Sequence, residues 1–227
     1  MHDDCIYKQI CTSECDKFCV RYSEMSYLLK TSNLPKSQQC FHRLQPDNCD
    51  LPAFEKLADI QMNIEQFVND GNLLYLYSKQ VGNGKTTWMV KLLLQYFHEV
   101  WVCNGFTERG IFINVPTYLM QCKNAISTPD SKLPKIQNAL MHDDLVILDD
   151  IAVTSLSAYD YSTLYGYIDS RLFANKAMFF TGNYAPEELK SILGERLASR
   201  IANGVVIELK GKDMRNYDTT SNSKLCD

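Results

Sequence analysis

Leu73-Leu74-Tyr75-Leu76-Tyr77-Ser78-Lys79-Gln80-Val81-Gly82-Asn83-Gly84-Lys85-Thr86-Thr87 decides how this chain is read. A short apolar run of strand length enters a glycine-punctuated turn, and a helical pattern opens near Lys85 and continues to His98. Strand, Gly-x-Gly-Lys-Thr, helix is the order that a phosphate-binding loop requires. Its glycines let backbone N–H groups converge on phosphate oxygens, and the helix N-terminus adds partial positive charge. Gly82, Asn83, Gly84, Lys85, Thr86 and Thr87 are therefore the candidate nucleotide-binding residues. Lys85 would reach the β- and γ-phosphates, and the Thr86 hydroxyl would sit on Mg²⁺. The full pattern asks for glycine at position 79, where Lys79 instead adds a cation at the loop entrance. A plain tight turn is the competing reading of these residues alone.

Leu145-Val146-Ile147-Leu148-Asp149-Asp150 answers that alternative. Four apolar residues of a buried strand end in two carboxylates, which a phosphate loop needs on a neighbouring strand. Asp149 would support Mg²⁺, directly or through water, and Asp150 would orient or deprotonate the attacking water. A strand ending in a capping aspartate explains the run by itself but not its pairing with the glycine loop. Further along, the strand Ala177–Phe180 ends in Thr181-Gly182-Asn183. The Asn183 amide would touch the γ-phosphate or the lytic water, since ligands of parallel sheets lie outside strand C-termini. Arg196 and Arg200 stand four residues apart, on one helix face.

Outward from these motifs, short apolar runs at 73–77, 111–115, 145–148, 177–180 and 205–209 alternate with helical patterns at 86–98, 116–126, 133–141, 158–173 and 186–201. Alternation of this kind predicts an α/β fold with a mostly parallel sheet covered by helices on both faces. Phe54, Leu57, Ile60, Ile64, Phe67 and Val68 recur at helical spacing, so 51–71 reads as a connector helix. The expected organisation is a cysteine-rich module over 1–50, that connector, a nucleotide-binding domain over 72–215 and a polar tail over 216–227.

Composition sets the outer limits. The 227 residues are 45% hydrophobic and 22% charged, which suits a globular chain and is too apolar for a disordered one. A net charge of −4 argues against a surface held to nucleic acid by bulk basic charge. Any DNA contact would be local, and Tyr118 with Lys123, Lys132 and Lys135 is the candidate stretch. With neither a secretory leader nor a membrane-length apolar run, the expectation is a cytoplasmic protein without membrane attachment.

Six of nine cysteines fall in the first fifty residues. Cys5-x₅-Cys11-x₃-Cys15-x₃-Cys19 would place four thiols around a structural zinc ion, with Cys11, Cys15 and Cys19 on one helix face. An Fe–S cluster and unmetallated buried thiols are the alternatives, and Cys40, His42 or Cys49 could replace one ligand. The remaining cysteines read as plain thiols.

The order of Gly82–Thr87, Leu145–Asp150, Phe180–Leu189 and Leu193–Ile201 resembles the AAA+ ATPases, specifically DnaC/DnaI-type replicative-helicase loaders and their phage versions. The resemblance covers roughly residues 70–215. It implies ATP and Mg²⁺ as ligands, a sensor at Asn183, an arginine finger at Arg200 with Arg196 close by, and a second sensor at Arg215. An arginine finger acts on a neighbour's nucleotide, so a homo-oligomer is implied. So are a hexameric replicative DNA helicase and single-stranded DNA as partners, and residues 1–50 resemble a helicase-binding module by position. The usual second acid of AAA+ proteins is glutamate, and Asp150 is one methylene shorter, which predicts slow hydrolysis. Two other readings share the core: a transposition helper ATPase, and a non-hydrolysing adaptor in which ATP is a structural ligand.

Overall fold

The computed structural model describes residues 2–8, 11, 16–41, 44–102, 104–152 and 156–213. In chain order these form α1 (Val20–Thr31), α2 (Leu51–Met62), α3 (Ile64–Asn69), β1 (Leu73–Tyr77), α4 (Lys85–Val100), β2 (Gly110–Asn114), α5 (Val115–Ala125), α6 (Leu133–His142), β3 (Leu145–Asp149), α7 (Ala158–Phe173), β4 (Ala177–Gly182), α8 (Pro186–Leu193), α9 (Glu195–Ile201) and β5 (Val205–Glu208). The strands make one parallel sheet in the order β2-β3-β4-β1-β5.

Near-continuous apolar strands are what a sheet buried on both faces demands. Alternate side chains divide between two clusters. Leu74, Leu76, Leu145, Ile147, Ala177 and Phe179 face α1 to α4. Tyr75, Val146, Leu148, Met178 and Phe180 face the layer containing α5 to α9. Full burial of each large side chain contributes roughly 1.5–3 kcal/mol, so the central strands carry much of the fold's stability. Because all five strands run parallel, the C-terminal ends of β1, β3 and β4 open on the same edge, and the glycine loop lies there.

Two helices expected as continuous are broken. Gly194, with φ of +77°, separates α8 from α9, a conformation that costs glycine little. Asn63 leaves helical geometry between α2 and α3, yet Leu57, Ile60, Ile64 and Val68 are all buried as their spacing requires.

The helix α1 has no counterpart in the sequence reading. Met25, Leu28 and Leu29 are buried with Leu34 and Tyr7 in the same cluster as the sheet, so the described part of 1–50 shares the core instead of standing apart. Its end runs along the edge strand: Phe112 N–H donates to Ser32 O at 2.8 Å, and Asn33 Nδ2 donates to Phe112 O at 3.0 Å. An exposed strand edge invites unwanted pairing, and this contact closes it. At the far edge, the buried Asp50 carboxylate accepts from Lys210 N–H at 2.6 Å and Gly211 N–H at 2.9 Å, fixing the chain beyond β5 beside the start of α2. Among the described residues no helix is long and apolar enough to cross a membrane.

Candidate functional site

The loop between β1 and α4 is built around Ser78, which is fully buried. Its Oγ accepts from Gln80 N–H at 3.0 Å and from Asn83 Nδ2 at 2.6 Å, while Asn83 Nδ2 also donates to Leu209 O at 3.3 Å. Gly82 and Gly84 have φ of +76° and +91°, left-handed values that let the backbone curl without a Cβ penalty. A Cβ on Gly82 would collide with the Asp213 carboxylate, so the chain past β5 lies directly against the loop. Lys85, only 7% exposed, donates from Nζ to Gln80 O at 3.1 Å, its ammonium folded over its own loop. Thr87 is half-buried in the first turn of α4.

Thr86 joins this loop to the carboxylates. Its Oγ1 lies 3.1 and 3.3 Å from the two carboxylate oxygens of Asp149. Thr181 Oγ1, on β4, donates to Asp149 Oδ1 at 2.6 Å and accepts from Asp150 N–H at 2.9 Å. Burial pushes the Asp149 carboxyl up to about 6, against the pull of the Thr181 and Thr86 hydroxyls and the Lys85 charge. A buried carboxylate beside a hydroxyl is a set of hard oxygen donors, which fits Mg²⁺ and not a soft metal. Asp150 follows in the left-handed region at φ of +61°, which aspartate tolerates better than most residues. Asn114 Nδ2, at the end of β2, reaches Asp150 Oδ2 at 3.5 Å.

The structure thus gathers Gly82 to Thr86, Asp149 and Asp150 from three separate elements. Asn183 stands half-buried just past β4, in a turn held by Tyr75 Oη donating to Tyr184 O at 2.7 Å. Lys79 does not face an open loop mouth; its ammonium pairs at 3.2 Å with Glu188, which also caps α8 by accepting from Ala185 N–H. Arg200 makes its contacts elsewhere: Nε donates to Asp169 Oδ1 at 2.8 Å, and the guanidinium sits 4.6 Å from the Tyr165 ring centroid, both on α7. Arg196 is exposed one turn earlier, and its carbonyl accepts from Arg200 Nη1 at 3.3 Å. Both line a groove between α8 and α9 with Lys190 and Asn203. Arg215 lies outside the described residues.

The zinc expectation is not supported. The helix begins only at Val20, with residues 16–19 outside it, and Cys19 caps it by accepting from Tyr22 N–H at 3.5 Å. Cys5 is half-buried and Cys11 exposed, and Cys15 lies outside the described residues, as does His42. Among the described residues no three Cys, His, Asp or Glu side chains stand close enough to hold a metal. Cys40 is disulfide-bonded, which corrects its reading as a replacement metal ligand or free thiol. The DNA stretch also changes. Tyr118 is 2% exposed and presents no face for base stacking, and the Lys123 ammonium is paired with the buried Asp160 carboxylate at 2.7 Å.

Sequence reasoning missed Thr181, Asn114, Ser78 and Asp50. For Thr181 the sequence carries a signal: a hydroxyl ending an otherwise apolar buried strand needs a partner, and another apolar strand ends in Asp149.

Comparison with known proteins bears on the whole arrangement. Residues 55–208 match the bacterial DnaA ATPase domain. The replicative helicase loader DnaC of Escherichia coli K12 is 25% identical over 185 residues, spanning 74% of this chain and 71% of that protein. A crystal structure of the DnaC helicase loader superposes with a TM-score of 0.60 at 20% identity, over 73% of this chain and 93% of that one. Replication initiator DnaA bound to AMPPCP and single-stranded DNA superposes at 0.57 and 17% identity, over 72% of this chain and 47% of that one. The likeness to AAA+ proteins of the DnaC/DnaI type holds. Because the domain match takes in more than half of its length, the chain belongs to the bacterial DnaA ATPase-domain family.

Proposed function

We propose that this chain is an ATP-dependent loader that binds a hexameric replicative DNA helicase and helps deposit it on single-stranded DNA, hydrolysing ATP slowly. The observation that carries the reading is the hydrogen bond from Thr86 to Asp149, which closes the glycine loop onto the acid-bearing strand. Membership of an ATPase-domain family and the similarity to a protein named helicase loader support it.

In this reading the loop N–H groups and the N-terminus of α4 receive the polyphosphate. Lys85 exchanges its bond to the neutral Gln80 O for bonds to anionic phosphate oxygens, in which both partners are charged. Thr86 and Asp149 would hold Mg²⁺, which when bound supplies charge neutralisation to the phosphates. Asp150 orients the attacking water, and Asn183 contacts the terminal phosphate. Arg200, released from Asp169 and aided by Arg196, would complete the site of a neighbouring copy, with Arg215 as the second sensor. The N-terminal fifty residues would carry the helicase contact, and the exposed Phe18 and Val20 flanking Cys19 are its apolar part.

Deleting residues 1–50 is a poor test, because it strips Tyr7, Met25, Leu28 and Leu29 from the core. The better experiment mixes the purified chain with the purified hexameric helicase of its own host and follows co-elution with ATP–Mg²⁺ or ADP. A complex that forms with the intact chain, depends on nucleotide and is lost in Phe18→Ser supports the loader. No complex in any nucleotide state rules it out.

A further inference from the structure

We propose that Thr181 is a positioning residue of this site, its single hydroxyl setting both the metal-side acid Asp149 and the water-side acid Asp150. The inference rests on reading the site as one for ATP and Mg²⁺, and it assigns a role that none of the expected site residues fills.

The geometry begins in the sheet. On β3, Leu145 and Ile147 face the α4 layer; on β4, Ala177 and Phe179 do the same, directly opposite them in register. Continuing that alternation by one step puts Asp149 and Thr181 on the same face and side by side, next to the helix that carries Thr86. Thr181 is fully buried, so its hydroxyl cannot rely on water for partners.

A threonine hydroxyl has one hydrogen to donate and lone pairs to accept. The Asp150 N–H can only donate, so Thr181 Oγ1 must accept there, at 2.9 Å. Its hydrogen is then committed to Asp149 Oδ1, at 2.6 Å. The two bonds fix each other's direction: the hydroxyl cannot turn away from Asp149 without abandoning Asp150. A second tie, Ile151 N–H to Thr181 O at 3.0 Å, docks the next residue on the same position. Asp150 is therefore held in its left-handed conformation, at φ of +61°, through the peptide groups on either side of its Cα. One side chain on β4 thus sets the orientation of a carboxylate on β3 and the path of the backbone that follows it.

The consequence is a division of labour. Thr86 stands in the first turn of α4 beside the phosphate loop and can exchange Asp149 for a cation, whereas Thr181 stands on a central strand and holds Asp149 through that exchange. Substituting Thr181→Val keeps the shape but leaves Asp149 Oδ1 without this donor and the Asp150 N–H without an acceptor. Thr181→Ser keeps the hydroxyl.

The test uses the full-length chain and titrates a fluorescent ADP analogue with and without Mg²⁺, alongside ATP turnover at saturating nucleotide. Thr181→Val is expected to bind nucleotide in EDTA as the unsubstituted chain does. It is expected to need about tenfold more Mg²⁺ for the metal-dependent gain in binding, and to lose kcat by about tenfold or more. Thr181→Ser should restore both, and Thr181→Ala replaces the valine variant if that one does not fold. Normal Mg²⁺ dependence and turnover in Thr181→Val overturn the inference. So does a serine variant as impaired as the valine one, since the hydroxyl would then not be what matters. If Lys85→Ala abolishes binding while Thr181→Val behaves normally, the positioning role alone fails. A native chain that binds no nucleotide overturns the ATP reading together with it.

Discussion

Asp149 and Arg171 are charged groups buried at opposite ends of the same two strands, and they are held in different ways. At the N-terminal ends of β3 and β4, Arg171 is 1% exposed and donates to four backbone carbonyls: Leu140 at 3.1 Å, Asp143 at 2.8 Å, Asp144 at 3.0 Å and Ala177 at 2.8 Å. Those acceptors belong to the last turn of α6, the short connection to β3 and the start of β4, and as backbone groups none of them can turn away. At the C-terminal ends, Asp149 is 3% exposed and is held by the hydroxyls of Thr86 and Thr181. The Thr86 hydroxyl, in the first turn of α4 beside the glycine loop, can rotate to another partner; a backbone carbonyl cannot. Burial of charge is common to both ends, so burial alone does not mark a site. What marks it is that the partners of Asp149 sit where a ligand can replace one of them.

The contrast can be broken most severely at Arg171. Arg171→Ala removes the guanidinium donor from four backbone carbonyls at this end and is expected to cost about 3–5 kcal/mol in chemical denaturation. A loss below ~1 kcal/mol would show that this end is not structural.

The next effect is a pH dependence at the same end. Burial, with repulsion from Glu108 and Asp144 and against the pull of Arg171 and Lys176, raises the Asp143 carboxyl to about 7. The folded chain therefore keeps a proton that the unfolded chain releases above about pH 4. Stability from this group falls as pH rises from about 4 to 7 and stays reduced beyond. Asp143→Asn should remove that penalty, gaining on the order of 2–3 kcal/mol at pH 8 and little at pH 4 in paired denaturation curves. An equal effect at both values would contradict the assignment.

The smallest effect sharpens the other end. If Asp150 orients the attacking water as proposed, Asp150→Glu extends the carboxylate towards it and should raise turnover by about tenfold, measured at saturating ATP. Glutamate tolerates the left-handed conformation less well, so the same variant should lose about 1 kcal/mol of stability. A fall in turnover would count against Asp150 as a shortened base.

Much of this was legible because the signals are local. The five strands are short apolar runs bounded by turns, and the glycine loop and the Asp149-Asp150 pair are contiguous stretches. What stayed hidden depends on partners distant in the chain. Thr181 reads as a strand residue until β4 is laid beside β3, and Asp50 meets Lys210 only because α2 and β5 are neighbours in space. The helix α1 escaped notice since tyrosines and serines dilute its apolar face, and its burial is decided by the edge of β2. Tyr118 and Lys123 misled for the converse reason. Residue type suggested DNA contact, while the packing of α5 buries the ring and neutralises the charge against Asp160.

The most direct test of the central claim is a calorimetric titration of ATP with Mg²⁺ into the full-length chain and into Lys85→Ala. Saturable binding at one site per chain is expected, weakened at least ~100-fold in the variant because the proposed lysine–phosphate contact would be charge-assisted, with the thermal midpoint little changed without nucleotide. No binding by the native chain, or equal binding by both, would contradict the account.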